Sequence, residues 1–179
     1  MSAAAKRYGA ALFELAQEEG LEERLLRELD GVLACFALEE QYYRLLSLPG
    51  VSRPERRALL DEAFGASVHV YVANFLKLLC DEGLIGQLPA CVREFRARWR
   101  KAHGILLVRG ASAAPLEEEA RERLIRKLAA ATGKQIELEL TVDPSLLGGL
   151  RLDMDGVRLD GTLRRRLEVV RSELEALTL

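Results

Sequence analysis

Groups able to do covalent or metal chemistry are few in this chain of 179 residues. His69 and His103 lie far apart, and neither has a cysteine or a second histidine at ligand spacing, so no zinc-type site is expected. Cys35, Cys80 and Cys91 each fall in a helical pattern beside apolar residues, and are expected to be small buried thiols rather than a disulfide or a nucleophile. No serine occupies a Gly-x-Ser-x-Gly elbow. Asp153, Asp155 and Asp160 could suggest a cation site, but the first two flank a hairpin turn and the third precedes a helix. Turn and cap chemistry accounts for all three. Gly148-Gly149 is not a phosphate loop, because that loop leads through a lysine into a helix, and here a strand follows. The expectation is no catalytic residue, no metal, no cofactor and no bound nucleotide.

The remaining candidates are surfaces. Arg93, Arg96, Arg98, Arg100 and Lys101 make a basic run, which helical geometry spreads over two sides. A solvated face or a docking surface for an acidic partner is the favoured reading. An RNA-binding accessory protein using the basic helix 93–101 is the alternative. Phe95 and Trp99, at i and i+4, suit core packing better than base stacking. The chain carries 26 basic and 28 acidic residues, net −2, and neither side of Gly104 is basic, which argues against a nucleic-acid partner. Residues 68–79 are apolar nearly all round: Val68, Val70, Tyr71, Val72, Ala73, Phe75, Leu76, Leu78 and Leu79. Such a helix is either central or waiting for a partner helix.

The elements that must position these residues follow from periodicity. Hydrophobic residues make up 49% and aromatics only 6%, so the apolar content is mainly Leu and Ala and favours helix. Tyr8, Ala11, Leu12 and Leu15 form one stripe of a first helix ending by Gly20. A second, residues 22–38, carries Leu25, Leu29, Val32, Leu33 and Phe36. A short third holds Tyr42, Leu45 and Leu46. Ser52 caps a fourth, with Pro54 in its first turn and Leu59, Leu60 and Phe64 inward. A fifth spans 67–82, and a sixth runs from about 87 to 102. After Gly104 the period changes to two. Residues 105–109 read as a strand, Pro115 opens a helix over 116–131 closed by Gly133, and residues 135–142 alternate as a half-buried strand ended by Pro144. Leu150, Leu152 and Met154, the turn Asp155-Gly156, then Val157 and Leu159 read as a hairpin. Asp160 or Thr162 caps a charged final helix whose first turn holds Arg164-Arg165-Arg166. The fold class is mostly α: an N-terminal six-helix bundle, residues 1–104, plus a smaller C-terminal α/β domain, residues 105–179. No apolar run approaches the roughly 18 residues of a membrane span, and the N-terminus lacks the pattern of a secretory signal. A cytosolic or peripheral protein is expected.

Three ordered blocks carry a resemblance: Arg7-Tyr8-Gly9-Ala10-Ala11-Leu12-Phe13-Glu14-Leu15-Ala16; Phe75-Leu76-Lys77-Leu78-Leu79 with Gly83-Leu84 and Leu88-Pro89; and Thr132-Gly133-Lys134 with Val142-Asp143-Pro144-Ser145-Leu146-Leu147-Gly148-Gly149, Asp160-Gly161-Thr162-Leu163-Arg164 and Arg166-Leu167. Together they resemble the delta subunit of bacterial F-type ATP synthase, whose mitochondrial counterpart is the oligomycin sensitivity-conferring protein. The resemblance implies a non-catalytic stator subunit. Its helical domain would grip the N-terminal helix of an alpha subunit of the catalytic head, through Tyr8, Ala11, Leu15, Tyr71, Asn74 and Leu78. Its α/β domain would hold the b subunits of the peripheral stalk, with Gly148, Gly149, Asp160, Gly161 and Arg164 as structural or stalk-coupling residues. It further implies a peripheral place on the cytoplasmic face of the plasma membrane, or the thylakoid equivalent, where proton-driven rotation is coupled to ATP synthesis.

Overall fold

Apolar residues recurring every three or four positions build six helices before the first strand: α1 (Ala3–Glu18), α2 (Glu22–Leu38), α3 (Glu40–Leu45), α4 (Arg53–Phe64), α5 (Val70–Asp81) and α6 (Leu88–Ala102). The structure, a computed structural model, describes residues 2–161 except 49, 147 and 155. The expected final helix therefore lies outside the described residues, as do Asp155, Thr162 and Arg164. The protein is mostly helical with a small four-stranded sheet. It divides into two units between Trp99 and Arg100.

In the first unit α1, α2, α4, α5 and α6 and the 3-10 turn Ile85–Gln87 share one core, centred on Leu25, Leu29, Leu76, Leu79, Leu88 and Phe95. Phe13 meets Phe95 edge-on at 5.4 Å, and Phe36 stacks on Tyr43 at 4.8 Å. Helix α3, six residues long, is too short to stand on propensity. It is pinned through Tyr42, which donates to the Leu59 carbonyl at 2.8 Å, and Tyr43, which donates to that of Ile85 at 2.9 Å. Ser52 and Glu55 form a reciprocal capping box at the start of α4. The Ser52 backbone N–H and hydroxyl bonds hold the Glu55 carboxyl below its usual range. Arg56 donates to the carbonyls of Val51, Cys80 and Leu48 at 3.0–3.1 Å, satisfying the C-terminal end of α5 without a carboxylate.

Two expectations are corrected in this unit. The buried stripe of α1 is Ala5, Gly9, Leu12, Phe13 and Ala16; of the expected stripe only Leu12 is buried. Gly9 explains the rotation. A Cβ there would sit 2.4 Å from the Cys91 carbonyl oxygen, so α1 meets α6 through its glycine. Helix α5 starts at Val70 rather than 67, because His69 is extended and caps it.

In the second unit β1 (Ile105–Ser112) and β2 (Gln135–Val142) pair in parallel, with α7 (Glu118–Thr132) between them in sequence. β3 (Leu150–Met154) pairs antiparallel with β1, and β4 (Val157–Asp160) antiparallel with β3, giving the order β2-β1-β3-β4. Helix α7 begins two residues later than the expected 116, since Glu117 takes extended angles as its cap, and it ends at Gly133 with a left-handed φ of 67°. Leu124, Ile125 and Leu128 of α7 cover Leu106, Val108, Ile136, Leu138 and Leu152 on one face of the sheet. The other face is charged. Glu139, Arg109, Asp153 and Arg158 stand side by side across all four strands, alternating in sign. Like charges never sit opposite one another in that row.

The tight α1–α6 contact makes a stability prediction. Gly9→Val should lower the stability of the full chain by about 1–3 kcal/mol, because the neighbour is backbone and cannot step aside. A thermal melt reads this, and an unchanged melting temperature would show that α1 does not cross α6 at Gly9.

Candidate functional site

Two helix faces in the first unit are left uncovered, and the expected partner-binding residues fall on them. On α1, Tyr8 is half-buried, Ala11 is exposed and Leu15 is 37% exposed. Arg7 lies over the Tyr8 ring at 5.3 Å. On α5, Val70 is 57% and Leu78 43% exposed, Asn74 is exposed and Tyr71 is half-buried. Val70, Asn74 and Leu78 are four residues apart, so they form one row. The opposite face, Val72, Phe75, Leu76, Leu79 and Cys80, faces the core. Helix α5 is thus half central and half uncovered. Helices α1 and α5 each pack against α2. Val70 is the residue that sequence reasoning did not single out for this row; its place four residues before Asn74 was the available signal.

The basic run on α6 is different. Arg96 pairs with Asp30, Arg98 with Glu94 at 3.0 Å and with Glu14 at 3.4 Å, and Arg100 grips both oxygens of Glu137 at 2.6 Å. Three of its five cations face carboxylates of the same chain, so the run does not present the free positive stripe that an RNA-binding helix needs. The sequence could not reveal this, because Asp30, Glu14 and Glu137 lie far away in the chain. Phe95 is fully buried and Trp99 packs against the core, as expected.

In the second unit, the motif blocks around Gly148-Gly149 and Asp160-Gly161 come together. Arg151 pairs in register with Asp160, and the Gly161 N–H donates to the Leu150 carbonyl at 3.0 Å. Gly148 and Gly149 have φ of 144° and 87°, closed to most side chains. They turn the chain from the 3-10 turn Pro144–Leu146 into β3. Asp143 accepts from the Ser145 N–H at 3.0 Å and its hydroxyl at 2.6 Å, which holds its carboxyl below the usual range. This is turn chemistry. Asp153 faces Arg158 at 3.6 Å.

The thiols need one correction. Cys80 and Cys91 are buried, and burial pushes the Cys80 thiol up to about 11. Cys35 is exposed, because it lies beside the Val32–Phe36 stripe of α2 and not on it. Among the described residues no group of three or more His, Cys, Asp or Glu could hold a metal ion, and no helix is long and apolar enough to cross a membrane.

The fold and these faces define a two-unit protein whose first unit leaves apolar helix faces uncovered. The ATP synthase delta (OSCP) subunit family matches residues 4–174. Proteins named ATP synthase subunit delta are similar over nearly the whole length. That of Symbiobacterium thermophilum is 33% identical, covering 96% of this chain and 92% of its own; that of Gloeobacter violaceus is 34% identical, covering 95% and 93%. A chain in the cryo-EM structure of the Toxoplasma gondii mitochondrial ATP synthase hexamer has the same fold, with a TM-score of 0.74 at 18% identity, over 97% of this chain and 98% of that one. The chain belongs to the ATP synthase delta (OSCP) subunit family.

Two substitutions test the geometry. Leu78→Glu should change stability by no more than about 0.5 kcal/mol, as an exposed site does, whereas Leu79→Glu should prevent folding; equal losses in a denaturant titration would mean that the α5 face is not open. Gly149→Val should cost more than about 1 kcal/mol through backbone strain, read by the same titration.

Proposed function

We propose that the protein is the stator subunit of an F-type ATP synthase, tying the catalytic head to the peripheral stalk. The first unit grips the N-terminal helix of an alpha subunit between α1 and α5. The contacts are Tyr8, Ala11 and Leu15 on one side and Tyr71, Asn74 and Leu78 on the other. An amphipathic helix laid there covers the exposed side chains of Leu15, Val70 and Leu78, and burial of such side chains contributes about 1.5–3 kcal/mol each before association costs. Small Ala11 lets the incoming backbone approach. The second unit holds the b-type stalk chains, with Gly148, Gly149, Asp160, Gly161 and Arg164 shaping or contacting the binding end. The protein sits peripherally at the membrane through the complex, binds no nucleotide and catalyses nothing. Its role is mechanical: it keeps the head from turning with the rotor, so that proton-driven rotation becomes ATP synthesis.

The observation that carries this reading is the uncovered apolar row on α5 in a chain of this family. Ala11→Asp places a carboxylate in the groove, and burying it unpaired is costly. Full-length protein should bind a synthetic peptide of the alpha N-terminus, and folded Ala11→Asp protein should bind it at least tenfold more weakly. Equal binding removes the groove assignment. In vesicles stripped of the subunit, head ATP hydrolysis should persist while proton-driven synthesis fails, and re-adding the full chain should restore it. Full synthesis without the chain defeats the stator reading.

A further inference from the structure

We infer that His69 is a positioning residue whose imidazole makes the docking face of α5 sensitive to protons. The inference rests on the docking reading of α5 and adds a regulatory device to it. His69 is the N-cap of α5, and its Nδ1 accepts a hydrogen bond from the Tyr71 N–H at 3.3 Å. Its ring meets the Tyr71 ring edge-on at 4.8 Å. Its carbonyl accepts from the N–H groups of Val72 at 2.9 Å and Ala73 at 3.1 Å. The half-buried side chain therefore caps one N–H of the first turn of α5 and meets the ring of Tyr71, beside exposed Val70. Ser, Thr, Asp and Asn, the usual residues at this position, do not change charge near neutral pH. Histidine does, between about pH 5 and 8.

The capping bond needs a bare Nδ1. Protonation turns this atom into a donor that faces another donor, and it sets a cation at the positive end of the helix dipole. The charged groups around it come from two helices. From α2, Glu28 accepts the His69 backbone N–H at 2.6 Å and is itself held by Arg24 at 2.9 Å, so its attraction for an imidazolium is shared. From α4, Asp61 meets Lys77 at 2.5 Å and Arg57 meets Asp81, both farther along α5. The 3-10 turn Ile85–Gln87 brings no charged side chain. Where Nδ1 carries a proton the bond is lost, the first turn of α5 frays and Tyr71 loses its fixed place. Docking weakens with it.

The test uses the full chain with His69→Asn, which caps without titrating, and His69→Ala, which does not cap. Amide hydrogen exchange at Tyr71 is compared with that of His69→Asn at the same pH, which cancels the intrinsic pH dependence. From pH 7.5 to pH 5.5 the relative protection in the parent should fall about fivefold, the size of a lost cap, while His69→Ala should be unprotected at both values. Affinity for the alpha N-terminal peptide should fall by a similar factor in the parent and stay constant in His69→Asn. A relative protection that does not change with pH overturns the inference. Absence of peptide binding at both pH values overturns the docking reading and its coupling to the cap, while the exchange arm still decides the cap itself.

Discussion

The contact between Gly9 and the backbone of α6 is the constraint on which the first unit depends. A helix can present only one face to its neighbour, and the missing side chain decides which. With Gly9 pressed on the Cys91 carbonyl, Leu12, Phe13 and Ala16 turn into the core, and Phe13 reaches the Phe95 ring. The same rotation carries Ala11 and Leu15 out to solvent. A glycine in a helix interior costs up to about 1 kcal/mol in propensity, a cost offset here by close helix packing. The uncovered face of α1 is therefore a by-product of a packing contact on the opposite side of the same helix.

Helix α5 solves a related problem. Its sequence has more apolar residues than one face needs, and the excess is not absorbed by the core. Val72, Phe75, Leu76 and Leu79 satisfy the interior, whereas Val70 and Leu78 remain in water. Exposed large apolar side chains lined up on one row are informative in a way that scattered ones are not. Charge is handled in the opposite manner. Arg96, Arg98 and Arg100 of α6, and Arg109 and Arg158 on the sheet, are matched to carboxylates within reach. Exposed pairs of this kind add little stability, but they remove single-sign patches that would attract nucleic acid. What the surface offers is apolar helix faces in the first unit and, in the second, a hairpin end shaped by glycine.

The positive φ angles at Gly148 and Gly149 serve a turn into β3, and the left-handed Gly133 serves a helix end. The uncovered face of α5 and the meeting of the Gly149 and Gly161 segments at one end of the hairpin are the features on which the proposed connector role rests.

Periodicity alone determined most of the elements. Helices of period 3.6 and strands of period 2 were legible because burial on one face imposes those spacings, and β2 was readable to the residue because Pro144 ends it. The blocks around Tyr8-Gly9, Leu78-Leu79 and Gly148-Gly149 also made the family legible. What the sequence could not decide was rotation and partnership. The α1 stripe was misplaced by one residue, since Leu15 is as apolar as Leu12, and only the packing of Gly9 on α6 distinguishes them. Cys35 resembles Cys80 in its neighbours, and only the position of the core separates them. The arginines of α6 looked free because Asp30 and Glu137, their partners, are close in space and distant in the chain. The capping role of His69 was equally hidden, since histidine is not a usual cap. Local pattern follows from local chemistry, whereas which face turns inward is settled by contacts between residues that the chain holds far apart.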